Sequence, residues 1–554
     1  MRIRTWLITL LLLGLNACNR TALLSAPAPA TVTITIVADG ESHLHTTSAA
    51  TVSDALSEAQ IQLDALDLVR PGEYLALKDG MVITVVRVVE EFQALEVETP
   101  FGKQTVRNEG LPEGERFLLQ SGHAGREEVV YRIEYHDGVE VERRIVRRAV
   151  LEEAADDIEM IGVKGSIVPT PIQGTLAYIS GGNGLVMRGS SANRRPVANS
   201  GDLDGQVFAL SPDGRRLLYT RSVSSTLALT HTLPAFNSLW VISATRLSGQ
   251  GFSRPEPLEV DNVLWAGWSP NGKQIAYSTG SPTDESFGWA ANNDVWIGGW
   301  NSSGHFQTEL LTRMHNVGSY GLLGSNFAWS PNGRYLAYGQ TDQVGFIDIV
   351  TGREIVLARF SVYSTHPAWV WTPIPTWSPD TRFIASVVYD EPVGPPTAED
   401  RQYFDLWVWD IHRPESPVTL ASDIGMWGMP AWSPGRQVGN ELTSQIAFLE
   451  TTDPRGSANA RYALWVMDRD GSDARSLFPL DRERGLRPQP VAWSPQADQI
   501  VCIFDGDLLL VNVSDGVILP LTGDRINSNP VWVALGAGEE EWQPIPDLMD
   551  IPID

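Results

Sequence analysis

The stretch Trp329-Ser330-Pro331-Asn332-Gly333-Arg334-Tyr335-Leu336-Ala337-Tyr338 returns in recognisable form along the C-terminal two-thirds of the chain, and it constrains the fold more than any other feature. An apolar residue ends one strand, Pro and Asn-Gly make a tight turn, and an alternating segment runs back, so each copy predicts a hairpin. The other copies begin at Leu210-Ser211-Pro212-Asp213-Gly214, Trp268-Ser269-Pro270-Asn271-Gly272, Trp377-Ser378-Pro379-Asp380, Trp432-Ser433-Pro434-Gly435 and Trp493-Ser494-Pro495. They start 48 to 61 residues apart, which leaves room for about four strands of the usual ~5 to 6 residues. A unit of that size and pattern fits one blade of a β-propeller.

Innermost strands are expected to end at Leu210, Trp268, Trp329, Trp377, Trp432 and Trp493, with a degenerate seventh at Pro530-Val531-Trp532. Second strands are expected at seven places, from Leu176-Ala177-Tyr178-Ile179 through Gln499-Ile500-Val501-Cys502. The first of these lacks a preceding inner strand and the last inner strand lacks a following partner. Residues 528–533 are therefore expected to pair with 175–180 and close the ring, leaving no long edge exposed. Third strands fit Ser238-Leu239-Trp240-Val241, Asp294-Val295-Trp296-Ile297, Asp405 to Asp410, Ala463 to Asp468 and Asp507 to Val511. The set resembles the WD40-like repeats of TolB-type propellers over about 175–535. Six blades are common in those families, so six is the alternative to seven.

At 554 residues, two or three domains are expected, and 43% hydrophobic with 19% charged residues gives ample material for cores. A net charge of −26 repels phosphate backbones and excludes nucleic acid as a partner. At the N-terminus, Arg2 and Arg4 precede an apolar run from Trp6 to Leu15. The run is too short for a membrane span, which needs about 20 apolar residues, and fits a secretory signal. Leu15-Asn16-Ala17-Cys18 resembles a bacterial lipobox, which implies cleavage after residue 17, lipid on Cys18, and an anchor on the outer face of the cytoplasmic membrane or the cell surface. A plain signal peptide with an incidental cysteine is the other reading. Cys502 then has no intramolecular partner, and its apolar neighbours predict a buried, inert thiol.

Residues 18–30, ending Ala26-Pro27-Ala28-Pro29-Ala30, read as a tether. Over 31–88 the order is a strand from Thr31 to Val37, a turn at Asp39-Gly40, a helix whose face is Val52, Ala55, Leu56 and Ala59 capped by Thr51 or Ser53, and a strand from Met81 to Val88. That order suggests a small α+β grasp fold. The segment resembles the ubiquitin-like repeat of surface proteins and of resuscitation-promoting factors. Over 89–164, Val129 to Tyr135 and Val139 to Arg143 flank Asp137-Gly138 as a charged hairpin. With Gly114, Gly122, Gly125, Gly138 and Gly162, this segment resembles a G5 domain, which implies adhesion to amino-sugar polymers of the cell wall. A thin charged sheet also serves as a spacer, so wall binder and stalk both stand. Residues 165–174 read as a linker, and 536–554 as an acidic tail.

The recurrent tryptophans at the blade position are expected to fill core. Extra aromatics just before the inner strands, Trp265, Trp369, Trp371 and Trp427, fall with Asp261, Asn262, Asn326 and Asn529 where loops gather at the mouth of a propeller channel. Polar groups beside stacking surfaces suit a small polar or glycan ligand, and packing of the loops is the plain alternative. His43 and His45 share a strand face without a third ligand, and His123 stands alone between loop glycines, so no metal or cofactor is expected. Nucleophile-elbow, zincin and phosphate-loop motifs do not occur, and turn chemistry explains Asp213, Asp380 and Asp468.

The expected protein is mainly β and non-enzymatic: a lipid-anchored surface protein whose G5 stalk associates with wall glycan or peptidoglycan. Its propeller would bind an envelope or surface protein, or a glycan. The alternatives are a polysaccharide hydrolase or lyase using an acid such as Asp261, and an envelope assembly component similar to TolB.

Overall fold

The computed structural model describes residues 31–536 except 109–110, 164–166, 224–234, 246–253, 284–287, 315–320, 364–369, 390–402, 440 and 480–484. Cys18, the signal segment, the tether, Trp369 and nearly all of the acidic tail lie outside the described residues. Two compact units emerge, Met1–Thr99 with Arg126–Glu153, and Pro100–Gly125 with Ala154–Asp554. The division runs through the segment read as one G5 domain rather than at its ends.

In the first unit a four-stranded sheet has the order Glu41–Thr47, Val32–Ala38, Val82–Val86, Leu68–Arg70, its two middle strands parallel. Alternation puts Ile34, Ile36, Ile83 and Val85 on one face, where the helix Val52–Glu58 covers them with Val52, Ala55 and Leu56. Thr51 caps that helix reciprocally with Asp54, each backbone N–H meeting the other's side chain, an arrangement typically worth about 1 kcal/mol. Arg87 joins Asp39 and Asp67, both at 2.7 Å. Burial alone would raise the Asp67 carboxyl, but N–H donors from Asp64 and Val88 together with Arg87 hold it below the ordinary carboxylate range.

The second sheet of this unit sets Gly125–His136 between Val88–Thr99 and Val139–Glu152. Asp137 and Gly138 both take positive φ, 48° and 79°, the type I′ geometry that suits the twist of a two-residue hairpin. Arg147–Glu128 and Arg148–Glu127 pair across its strands at 3.0 and 3.1 Å. Exposed pairs of this kind stabilise little, but their charges discourage edge-to-edge association.

The second unit opens with a three-stranded sheet in the order Lys103–Asn108, Asp157–Gly162, Arg116–Gln120. Gly162 is required there, since a Cβ would sit 1.9 Å from the Pro112 carbonyl oxygen. The Asn108 and Gln104 side-chain amides donate to the Ala192 and Asn199 carbonyls at 2.6 and 2.8 Å, and buried Arg194 of the propeller donates back to the Arg107 carbonyl at 3.5 Å. The sheet is thereby bound to the propeller that follows it.

Seven sheets make that propeller among the described residues. Blade one is Asn527–Val533, Pro171–Ser180 and Asn183–Ala198. Blades two to seven begin with the inner strands Leu203–Leu210, Val263–Trp268, Asn326–Trp329, Thr376–Trp377, Ala431–Trp432 and Ala492–Trp493, and each runs outward through three more strands. Leu176 pairs with Trp532 and Ala177 with Val531, so both ends of the region meet in one sheet. The expected linker is correspondingly shorter, because residues 171–174 already belong to blade one. Blade four carries a third strand, Gln343–Asp348, and blade six a hairpin, Arg436–Val438 with Glu441–Thr443, that the repeat did not predict.

The recurrent motif acquires a mechanism at its serine. Buried Ser330 accepts from the Tyr335 N–H at 2.9 Å and donates to the Asn332 side chain at 2.8 Å, while Gly333 takes φ 71°. Ser211, Ser269 and Ser378 accept in the same way from Arg216, Gln274 and Phe383. The tryptophan beside the serine reaches back to the preceding blade. Trp268, Trp329, Trp377 and Trp493 donate their indole N–H groups to the carbonyls of Ala209, Gly267, Ala328 and Ala431 at 3.0–3.1 Å. At these four blades one residue type thus both fills the wedge and bonds a blade to its neighbour, whereas Trp432 of blade six fills the wedge with its indole N–H unpaired among the described residues and blade two has Leu210 in that place.

Candidate functional site

Most residues expected at the channel mouth are committed to packing and to blade-to-blade hydrogen bonds. Trp371 keeps 2% of its surface, packs edge-on against Phe404 at 4.9 Å and donates to the Met426 carbonyl at 2.9 Å. Half-buried Trp427 donates to the Ala458 carbonyl, and Trp265 lies against Phe327 at 5.3 Å, in a different part of the core. Asn326 donates to the Pro373 carbonyl at 3.1 Å and Asn529 to the Gly205 carbonyl at 3.0 Å, each crossing from one blade to the next. Asn262, at φ 58°, accepts from the Phe236 N–H at 3.0 Å and secures the turn between blades two and three. Trp371 is buried and Trp265 and Trp427 are partly buried against the core, and the amides are used by the chain itself.

Asp261 is different. It ends Glu256–Asp261, the outermost strand of blade two, and lines a groove of about 620 Å³ against the face of blade three. Glu259 enters the same groove with φ 56°, a left-handed conformation uncommon for a residue with a side chain, where the strand slips register between Ser238 and Trp240. Partial enclosure pushes the Asp261 carboxyl above its ordinary value, although more than a third of the residue remains in water.

The opposite wall is built from alternate residues of three adjacent strands, which strand geometry brings to one face. Tyr277 and Trp296 are cross-strand partners with rings 6.3 Å apart and 6° from parallel. Asp294, 5% exposed, accepts from the Thr279 N–H at 2.8 Å, the Thr279 hydroxyl at 2.6 Å and the Trp296 indole N–H at 2.7 Å. Its lone pairs are spent on holding the indole in place. Burial pushes the Tyr277 phenol up, opposed by a hydrogen bond with Thr308. Arg313 closes the wall from the outer strand. The Asp261 and Glu259 carboxylates and the Arg313 guanidinium make no side-chain hydrogen bond or ion pair among the described residues. The groove therefore offers two acceptors, one cationic donor and one partly exposed indole, that of Trp296, backed by buried Tyr277. Sequence reading singled out Asp261 alone of this set: Glu259 shares its strand but carries no motif, and Tyr277, Trp296 and Arg313 come from other strands up to about fifty positions away.

Cys502 is wholly buried, and burial pushes its thiol up to about 12, as an inert core cysteine requires. No group of three or more His, Cys, Asp or Glu residues among the described residues is arranged to hold a metal, and none of their helices is long and apolar enough to cross a membrane.

Residues 91–164 match the G5 domain family and residues 34–72 the G5-linked ubiquitin-like domain, so the chain carries both modules expected ahead of the propeller. The G5 match supports a surface or envelope protein that bears a propeller. Curated proteins give no match. Among solved structures, a TolB-type protein of Agrobacterium tumefaciens is 17% identical over 56% of this chain and 90% of its own, with a TM-score of 0.32. The β-propeller domain of a trilobed protease from Pyrococcus furiosus is 14% identical, over 57% and 85%, with a TM-score of 0.33. The G5 domain of an IgA1 protease is 24% identical, over 14% and 94%, with a TM-score of 0.12. The ring and its seven blades rest on the strand pairing above rather than on these likenesses.

Proposed function

We propose that the chain is an exported, lipid-anchored surface protein without catalytic activity, in which the G5 segment associates with the amino-sugar polymer of the wall and the propeller displays a binding face. The match of residues 91–164 to the G5 family carries this reading, and the lipobox-like Leu15-Asn16-Ala17-Cys18 supports it from the sequence. Two or three acyl chains on Cys18, at about 0.8 kcal/mol per buried CH₂, give a stable anchor where a single chain would bind only marginally and reversibly.

Replacing Cys18 with Ser is expected to abolish labelling by a radioactive fatty acid and to move the protein from the membrane fraction to the medium. Retained label, or an unchanged membrane fraction, would remove the anchor from the account. In parallel, the exported chain is expected to sediment with purified insoluble wall, and to stop doing so when 91–164 is replaced by a flexible linker of equal length. Sedimentation that survives the replacement would assign wall binding elsewhere.

A further inference from the structure

We propose that the groove between blades two and three is a saccharide site, in which Asp261 and Glu259 accept sugar hydroxyls, Arg313 donates to a ring or exocyclic oxygen, and Trp296 packs against the ring. The proposal rests on the reading of the propeller as a display platform and gives that platform a ligand class. Three observations converge on it. The first is volume, about 620 Å³, within the roughly 300–1,000 Å³ of small-ligand sites.

The second is the balance of charge. Two carboxylates and one guanidinium face the same space with their hydrogen-bonding capacity unused. An anion such as phosphate would meet two carboxylates, and a compact cation would meet Arg313. A neutral ligand bearing several hydroxyls satisfies all three, because each hydroxyl both donates and accepts. Hydrogen bonds to ionised partners are also the strong ones, which matters for a ligand without charge.

The third is an aromatic wall. Trp296 is fixed by its indole hydrogen bond to Asp294 at 2.7 Å and by stacking on Tyr277. Tyr277 is buried behind it at 4% exposure with its ring stacked parallel to the indole, so Trp296 alone offers its apolar surface to the groove, held in one orientation, and the C–H face of a pyranose fits against it.

The test is titration calorimetry of the full exported chain with cellobiose, maltose and N,N′-diacetylchitobiose, using inorganic phosphate and glycine betaine as anion and cation controls. At least one disaccharide is expected to bind with Kd of about 1 mM or tighter. Asp261→Ala and Arg313→Ala, both at exposed positions, are each expected to weaken it about tenfold or more, as the loss of one charge-assisted hydrogen bond implies. Trp296→Phe is expected to keep part of the affinity and Trp296→Ala to lose it. If the last variant fails to fold, the two exposed ones still decide. Failure of all three disaccharides to bind, binding of phosphate or betaine instead, or disaccharide affinity unchanged in both Asp261→Ala and Arg313→Ala would overturn the assignment. Wall sedimentation of the same variants separates the two readings: sedimentation that persists while the titrations are blank removes the groove and leaves the surface role, and the reverse removes the wall role.

Discussion

A chain terminated before Asn527 is expected to lose the cooperative unfolding of its propeller. The missing strand, Asn527–Val533, is the innermost strand of blade one and lies between the inner strands of blades seven and two, so its loss leaves two blades without a neighbour and one sheet with an open edge. Trp532, 7% exposed and packed with Leu176, Tyr178, Leu508 and Leu510, is alone worth about 3–5 kcal/mol on truncation to alanine. Removing the whole strand exceeds that and takes a large part of the 5–15 kcal/mol that typically separates folded from unfolded domains. Urea unfolding followed by tryptophan fluorescence is expected to change from one steep transition to a shallow one at lower denaturant, with rapid proteolysis near residues 171–198. A truncated chain with an unchanged midpoint and slope would mean that the ring does not depend on its closure.

Trp371→Ala is expected to destabilise the propeller by about 3–5 kcal/mol without affecting any ligand. The indole is buried against Phe404 and among Leu406, Ile424 and Met426, so truncation opens a cavity in blade five and orphans the Met426 carbonyl. Trp371→Phe keeps most of the volume and loses the hydrogen bond, which places its cost nearer 1–2 kcal/mol. Chemical denaturation of the two variants beside the parent checks both values. A Trp371→Ala protein of parental stability that has lost binding would return this residue to a ligand site at the channel mouth.

The features readable in the sequence are those governed by neighbours. Thr51 with Asp54, Asp137-Gly138 and the Ser-Pro-Asn-Gly turns each act within about six residues, and each forms as its local chemistry dictates. Ring closure was also legible, because an unpaired strand at each end of a repeat array points to the other. Blade four's third strand was not legible because Gln343-Val344-Gly345-Phe346 has neither the tryptophan of the third strands in blades two, three, five and six nor the leading aspartate and leucine run of blade seven. The division of the G5 segment depends on Asn108 and Gln104 finding carbonyls in the propeller, contacts whose partners lie about eighty to a hundred residues away. The groove was hidden for a related reason. Tyr277 and Trp296 read separately as strand residues and Arg313 carries no signal of its own, and only the packing of blade three beside blade two brings them to Asp261. At the mouth, Asn326 and Asn529 had the composition of a polar site, but buried carbonyls of the adjacent blade needed donors first.

The most direct measurement is a disulfide between residues 177 and 531. Ala177 and Val531 are paired across the closing sheet, and cross-strand partners have Cβ atoms about 4.5–5.5 Å apart, close enough for oxidation with small adjustment. In a chain with Cys18 and Cys502 replaced by Ser and Ala, Ala177→Cys with Val531→Cys is expected to give an intramolecular crosslink. It would hold the fragments together on a non-reducing gel after cleavage between blades four and five. Two free thiols in the folded protein, or crosslinks only between chains, would contradict the closed seven-bladed ring.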